Sequence, residues 1–205
     1  MKEKQVEQDI LNAAVKVFVE KGKDGARMQE IADCAGVNKM LLHYYFTDKD
    51  TLFWEVIKKI VADLYGSVFN GGINDLTFKE FLFSFIDRHF NFLNEKKEAL
   101  QFLLWELSHQ KFDIRAIASD SYNPYGRNPF EILSDKLHEA ISKNEIRVVD
   151  TTEFILNLFS LDLFMFLGLP VIREIASMDD VELAKAMERR KNEVFRLLWN
   201  DIKVN

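Results

Sequence analysis

From about residue 4 to residue 202 the apolar residues of this chain recur three and four positions apart, and nowhere do they alternate over the length of a strand. That spacing gathers them on one side of an α-helix, so an all-α chain is predicted. Only 3 prolines and 8 glycines interrupt the 205 residues, few enough for long helices to persist. The 18 phenylalanines make the expected core aromatic.

About nine helices can be read. Helix one covers about 4–21, with Val6, Ile10, Ala14, Val17 and Phe18 in a stripe that Gly22 closes. Two short helices, about 28–34 and 38–45, flank Ala35-Gly36-Val37. A fourth, about 48–69, takes Thr47 as its N-cap. Thr77 and Glu80 form a capping-box pattern that opens a fifth, and a sixth spans about 96–117. Ser119–Pro129 reads as a loop, with a seventh helix at about 130–143. The eighth lies near 151–168, ending at Gly168-Leu169-Pro170, and the last runs from about 180 to 202 with Asp179 or Asp180 as cap. The predicted organisation is a three-helix head, residues 1–47, and a helical bundle body, residues 48–205.

Arg27–Leu52 carries the strongest functional signal. Ala32 stands four residues before Gly36, which is helix-turn-helix spacing: the small side chain lets the next helix cross closely, and the glycine supplies a tight turn. Ile31, Val37, Leu42, Tyr45 and Phe46 are expected to point inward. Lys39, Met40, His43 and Tyr44 then occupy the outer face of the second short helix, with Leu41 flanking and Asn38 at the N-cap. Lys, His and Tyr suit phosphate contact, and Asn and Lys also read base edges. Lys49 lies in a helix first turn, where a cation opposes the macrodipole and a nearby phosphate would account for it. By itself, Ala-x-x-x-Gly is also a plain helical corner.

Taken together, Ile31-Ala32, Ala35-Gly36-Val37-Asn38-Lys39, Leu42-His43-Tyr44-Tyr45-Phe46, Lys49 and Leu52, with Phe18 and Gly22 before them, resemble the tetracycline-repressor (TetR) family of bacterial regulators over about residues 5–55. The resemblance implies a nine-helix protein that dimerises through its last two helices, binds a small effector in its body and inserts the helix at 38–45 into the major groove. By position it implies that Lys39, Met40, Leu41, His43 and Tyr44 face DNA and that Lys49 holds a backbone phosphate. Three positions depart from the family pattern. Arg27 replaces the usual Thr or Ser cap and offers a phosphate contact instead. Met40 and Leu41 replace small and hydroxyl residues and favour thymine methyls, and Asn38 replaces Ser.

In the body, the stretch from Phe154 to Leu169 is apolar on all sides, so a partner subunit is expected to cover the face its own domain leaves bare. Phe159, Leu163 and Phe166, with Met187, Val194, Leu198 and Ile202 of the last helix, are the expected dimer interface. Two heads then read a palindromic operator. Phe81, Phe85, Phe102, Trp105 and His109 are the expected lining of an effector pocket for an apolar or aromatic molecule.

Other classes find no support in the residues. Residues 1–60 hold 10 basic and 10 acidic residues and residues 61–205 hold 17 and 23, so any nucleic-acid contact must be local. No GxGxxG, P-loop, GxSxG or HExxH is present, the four histidines are dispersed, and neither a cofactor nor a metal is expected. The 16-residue apolar stretch is short for a membrane span and has Asp162 inside it, and the first twenty residues lack a signal-peptide pattern, so a cytoplasmic location is expected. Cys34, the lone cysteine, is expected to be a semi-buried thiol. The function expected is a ligand-responsive, sequence-specific transcriptional regulator, a repressor released by its effector and not an enzyme. The alternative is a helical small-molecule-binding protein or enzyme whose head is only structural.

Overall fold

The computed structural model describes residues 2–69, 75–109 and 127–204. Nine helices run through them: α1 (Lys2–Gly25), α2 (Met28–Ala35), α3 (Lys39–Tyr45), α4 (Lys49–Phe69), α5 (Phe78–Glu95), α6 (Lys97–His109), α7 (Pro129–Ser142), α8 (Thr151–Ile175) and α9 (Asp180–Ile202). No strand is present among the described residues, and the all-α reading holds. The predicted residues 110–117 of helix six and most of the 119–129 loop lie outside the described residues.

Local chemistry sets the helix ends. Thr77 accepts the Glu80 N–H while Glu80 reaches back to the Thr77 N–H, and Asp179 with Glu182 and Asn128 with Glu131 repeat that reciprocal box. Each such cap contributes about 1 kcal/mol. At α4 the cap is Asp48 rather than Thr47: Asp48 Oδ1 accepts the Thr51 N–H at 2.7 Å, which also holds its carboxyl below the usual range. Thr47 instead offers its carbonyl to His43, at 3.1 Å. Gly22 interrupts α1 at φ 68, ψ 173, a backbone open only to glycine.

The chain packs as two compact units, one of residues up to Asp63 and from Glu98 to Gly126, the other of Leu64–Lys97 and Arg127–Asn205. The first is larger than the head drawn at residue 47. Its core joins Ile10, Ala14 and Phe18 of α1 to Ile31 and Leu42, and these in turn to Leu52, Phe53 and Val56 of α4 and Phe102 of α6. Phe53 meets Phe18 and Phe102 edge-on, at 5.4 and 6.0 Å between ring centroids. The first turns of α4 therefore complete the hydrophobic filling of a three-helix head too small to enclose itself.

In the second unit α5 packs on α7, α8 and α9 around Phe78, Phe81, Phe85, Leu137, Leu158 and Val194. Glu145, in the turn after α7, accepts the Phe78 N–H at 2.7 Å and pins the start of α5. α8 buries Phe154, Ile155, Leu158, Asp162 and Phe166 and exposes Leu156, Phe164, Leu167, Val171 and Ile175. Its window Thr151–Gly168 is long and apolar enough to cross a membrane, with mean hydropathy 1.3, and only 28% of it is buried, less than a core helix would be. The predicted stop at Gly168-Leu169-Pro170 does not occur: α8 continues to Ile175. One missing proline N–H weakens a turn without obliging a long helix to end.

Candidate nucleic-acid interface

Two turns of helix do not hold together in water unaided, so α3 depends on its anchors. Gly36 adopts φ 68, ψ 26 after Ala35, and the Val37 N–H returns to the Ala32 carbonyl at 3.0 Å, closing α2. Asn38 is extended and its side chain accepts the Leu41 N–H at 2.8 Å, capping α3 as expected. Leu42 and Phe46 are buried, each stabilising the packing by roughly 1.5–3 kcal/mol. Val37 and Tyr45 are half-buried beside them.

This anchoring turns the opposite face outward. Met40 is 83% and Tyr44 78% exposed, one helical turn apart, and Lys39 and His43 are exposed with them. Leu41 is half-exposed at the edge. Tyr44 rests edge-on against Tyr45, 5.3 Å between centroids, which leaves its hydroxyl end free of the core. The His43 Nδ1–H donates to the Thr47 carbonyl and fixes the imidazole plane. Elsewhere in this unit several lysines are matched, Lys21 with Glu30, Lys23 with Asp50 and Lys59 with Asp63. Lys39 has no ion pair among the described residues, so a local positive charge stands on the outward face of an otherwise balanced head.

Arg27 is exposed at the N-cap of α2 and makes no side-chain cap bond. Lys49 is placed differently from its expected role. Its ammonium donates to the carbonyls of Asp24 and Ala26, both at 3.3 Å, where α1 ends. A cation at a helix C-terminus is favourable, so the apparent misfit with the α4 dipole has an intramolecular answer. Cys34 is exposed on α2, not semi-buried.

The five expected pocket residues divide between the two units. Phe81 and Phe85 belong to the core of the second unit and Phe102 to that of the first. Trp105 is 62% exposed and stacks on His109, centroids 3.8 Å apart, while the His109 Nδ1–H donates to the Trp105 carbonyl. Helical spacing put those two on one face correctly, but that face is the outer one. Among the expected interface residues, Phe166, Val194, Leu198 and Ile202 are buried in their own protomer. Phe159, Leu163 and Met187 are half-buried. The apolar row left bare on α8 is Leu156, Phe164, Leu167, Val171 and Ile175, because both sides of that helix are apolar and the inward one was indistinguishable by composition.

A polar pair escaped the sequence reading. Asp162, fully buried, accepts the His89 Nδ1–H at 3.0 Å, and burial pushes its carboxyl above the ordinary range against the opposing pull of that hydrogen bond. The only local signal was an acid inside the most apolar stretch of the chain.

Residues 10–56 match the model of a family described as bacterial regulatory proteins, tetR family. Over 54 residues the chain is 43% identical to the HTH-type transcriptional repressor NicS of Pseudomonas putida, a stretch that is 26% of either chain. The chain thus matches only about a quarter of the length of that relative. Across its whole length it superposes on a protein from Mesorhizobium loti assigned to the TetR family of transcriptional regulators, with TM-score 0.69, 20% identity and 100% of both chains covered. AibR, solved with isovaleryl coenzyme A and operator DNA, covers 78% of this chain and 85% of its own at TM-score 0.61 and 20% identity. These structural likenesses are likenesses of fold. The segment that holds α2, the Gly36 turn and α3 is thus what this chain shares in sequence with the tetR family of bacterial regulatory proteins.

Proposed function

We propose that this protein is a dimeric, ligand-responsive transcriptional regulator that acts as a repressor in the cytoplasm and enters the major groove of operator DNA with α3. One observation carries the reading: a capped, two-turn helix buries Leu42 and Phe46 and turns Lys39, Met40, His43 and Tyr44 to solvent as a single face. Lysine, imidazole and phenol groups there grip phosphates and base edges, while Met40 and Leu41 meet thymine methyls. Arg27 reaches the backbone from the start of α2, and Lys49 supports the site by tying α4 to α1. The repressor name of NicS and the operator complex of AibR support this reading, and the acyl-coenzyme A in AibR supports a small-molecule effector for this chain.

A second copy of the chain covers the bare row of α8. Phe164, Leu167, Val171 and Ile175 recur every three or four residues, with Leu156 about two turns before them, and a lone protomer leaves them in water. A two-fold interface there sets two heads on half-sites about 34–36 Å apart or a multiple of it.

The test is a gel shift with duplexes selected by the protein from a random-sequence pool. Lys39→Ala with Tyr44→Ala is expected to abolish the shift while leaving the circular dichroism unchanged. Affinity of the wild type is expected to fall steeply with salt. Undiminished binding by the double variant, or failure to select any duplex, overturns the proposal.

A further inference from the structure

On the outward face of α3 the His43 ring has one nitrogen fixed and one free. Nδ1 stands 3.1 Å from the Thr47 carbonyl oxygen. A carbonyl oxygen only accepts, so Nδ1 carries the hydrogen, and in the neutral ring Nε2 is a bare lone pair. His43 is exposed, and Nε2 has no partner among the described residues. A lone pair has the wrong polarity for a phosphate oxygen, which takes hydrogen bonds and gives none. The imidazole therefore meets the DNA backbone only once Nε2 has taken a proton. Both nitrogens then donate, one to Thr47 and one outward. The neutral ring could instead accept from the amino group of an adenine or a cytosine. Position favours the phosphate. His43 lies in the last turn of α3, whereas a recognition helix reads base edges with its N-terminal residues, here Lys39 and Met40. A cation near a helix C-terminus is also favourable, and charge on the ring strengthens the bond to the Thr47 carbonyl.

The neighbouring charges are committed elsewhere. On α3 itself Lys39 stands one turn before His43, and Tyr44 adjoins it. From α2, Glu30 is paired with Lys21 and Asp33 takes the Gln29 amide, while Arg27 is exposed at the N-cap. From α4, Asp48 caps the helix, Lys49 is bound to the end of α1 and Asp50 is paired with Lys23. Glu3 and Glu7 of α1 act on Tyr45. Among the described residues no carboxylate pairs with His43, so a phosphate supplies the counter-charge that the protonated ring lacks.

We propose that operator binding by α3 takes up one proton from solvent at His43 Nε2, so that each head grips a backbone phosphate oxygen through Nε2–H. The inference rests on the major-groove reading above. An imidazole changes charge between about pH 5 and 8. By linkage, a proton held more tightly in the complex makes affinity greatest at low pH and weaker as pH rises through that window, by at most about tenfold per pH unit for each head.

In the test, a duplex selected from a random-sequence pool at about pH 6 is titrated with the intact protein at about pH 6, 7 and 8, with circular dichroism at each pH. Affinity is expected to fall at least about tenfold from the lowest to the highest pH, and the slope of log K against log salt to shrink by about 1 per head as the contact is lost. In His43→Gln, whose side chain is uncharged throughout, the pH dependence is expected to vanish. Should that variant not fold, the wild type decides: with the four histidines assigned by through-bond correlation, the His43 Cε1–H resonance is expected to titrate at a higher pH with DNA than without. Affinity that is flat or rises with pH, a pH dependence retained in His43→Gln, or a His43 resonance that titrates alike in both states overturns the proposal. A tight complex indifferent to pH strikes this inference alone, whereas a protein that selects no duplex at any of these pH values strikes the regulatory reading beneath it.

Discussion

Replacing Lys49 by Met keeps the aliphatic stem and removes the ammonium that holds the end of α1. Two hydrogen bonds to the Asp24 and Ala26 carbonyls are lost. Hydrogen bonds involving a charged group contribute about 1.5–3 kcal/mol at good geometry. Both of these are long, at 3.3 Å, and the side chain is half-exposed, so the pair together is assigned about 1 kcal/mol. For a chain of this size that corresponds to a Tm lower by about 2–4 °C. Thermal melts followed by circular dichroism measure it, beside gel shifts at several salt concentrations. The expected result is a lower Tm with the salt dependence of DNA binding unchanged. A phosphate contact would instead lower the slope of log K against log salt by about 1 per site. An unchanged Tm with a reduced slope refutes the assignment of Lys49 to the end of α1.

Three further outcomes are expected. Gly36→Ala places a side chain at φ 68 with nothing within 4 Å of its Cβ, so the cost is purely conformational, about 1 kcal/mol by denaturant melts; an unchanged midpoint would mean the turn needs no glycine. Leu198→Glu buries a charge in the protomer core and is expected to cost more than about 3 kcal/mol and lose helicity, whereas Ile175→Glu, at a residue 81% exposed, keeps the fold and yields a monomer in sedimentation; the reverse pattern contradicts the placement of these two faces. The Asp162 carboxyl is raised in the folded state, so the fold binds its proton more readily than the unfolded chain does. Stability from this group is therefore greatest at low pH and falls as pH rises from the ordinary value of 3.8 through the folded value, and the Tm of Asp162→Asn relative to wild type should climb over that window. A flat difference rejects the raised carboxyl.

What was legible in the sequence was local. The Thr77–Glu80 box, the Asp179 cap and the Gly36 turn each follow from residues within one helical turn, and each stands where expected. The cap of α4 slipped by one residue because Thr47 and Asp48 are both good caps and the choice depended on what else claimed them. Direction was harder than periodicity. Trp105 and His109 share a face, and so do Val194, Leu198 and Ile202, but spacing does not say whether a face meets its own core, a partner or water. The His89–Asp162 bond joins residues 73 apart in sequence, beyond the reach of any local pattern.

Cys34 is the sole thiol in the sequence and stands exposed on α2, one turn of chain before the helix proposed to meet DNA. A maleimide dye or nitroxide therefore attaches at one defined place per polypeptide without any cysteine being engineered in or out. In a two-fold assembly that gives a matched pair of reporters, one on each reading head, and the distance between them becomes a direct gauge of how far apart the heads stand as operator or small molecule is added.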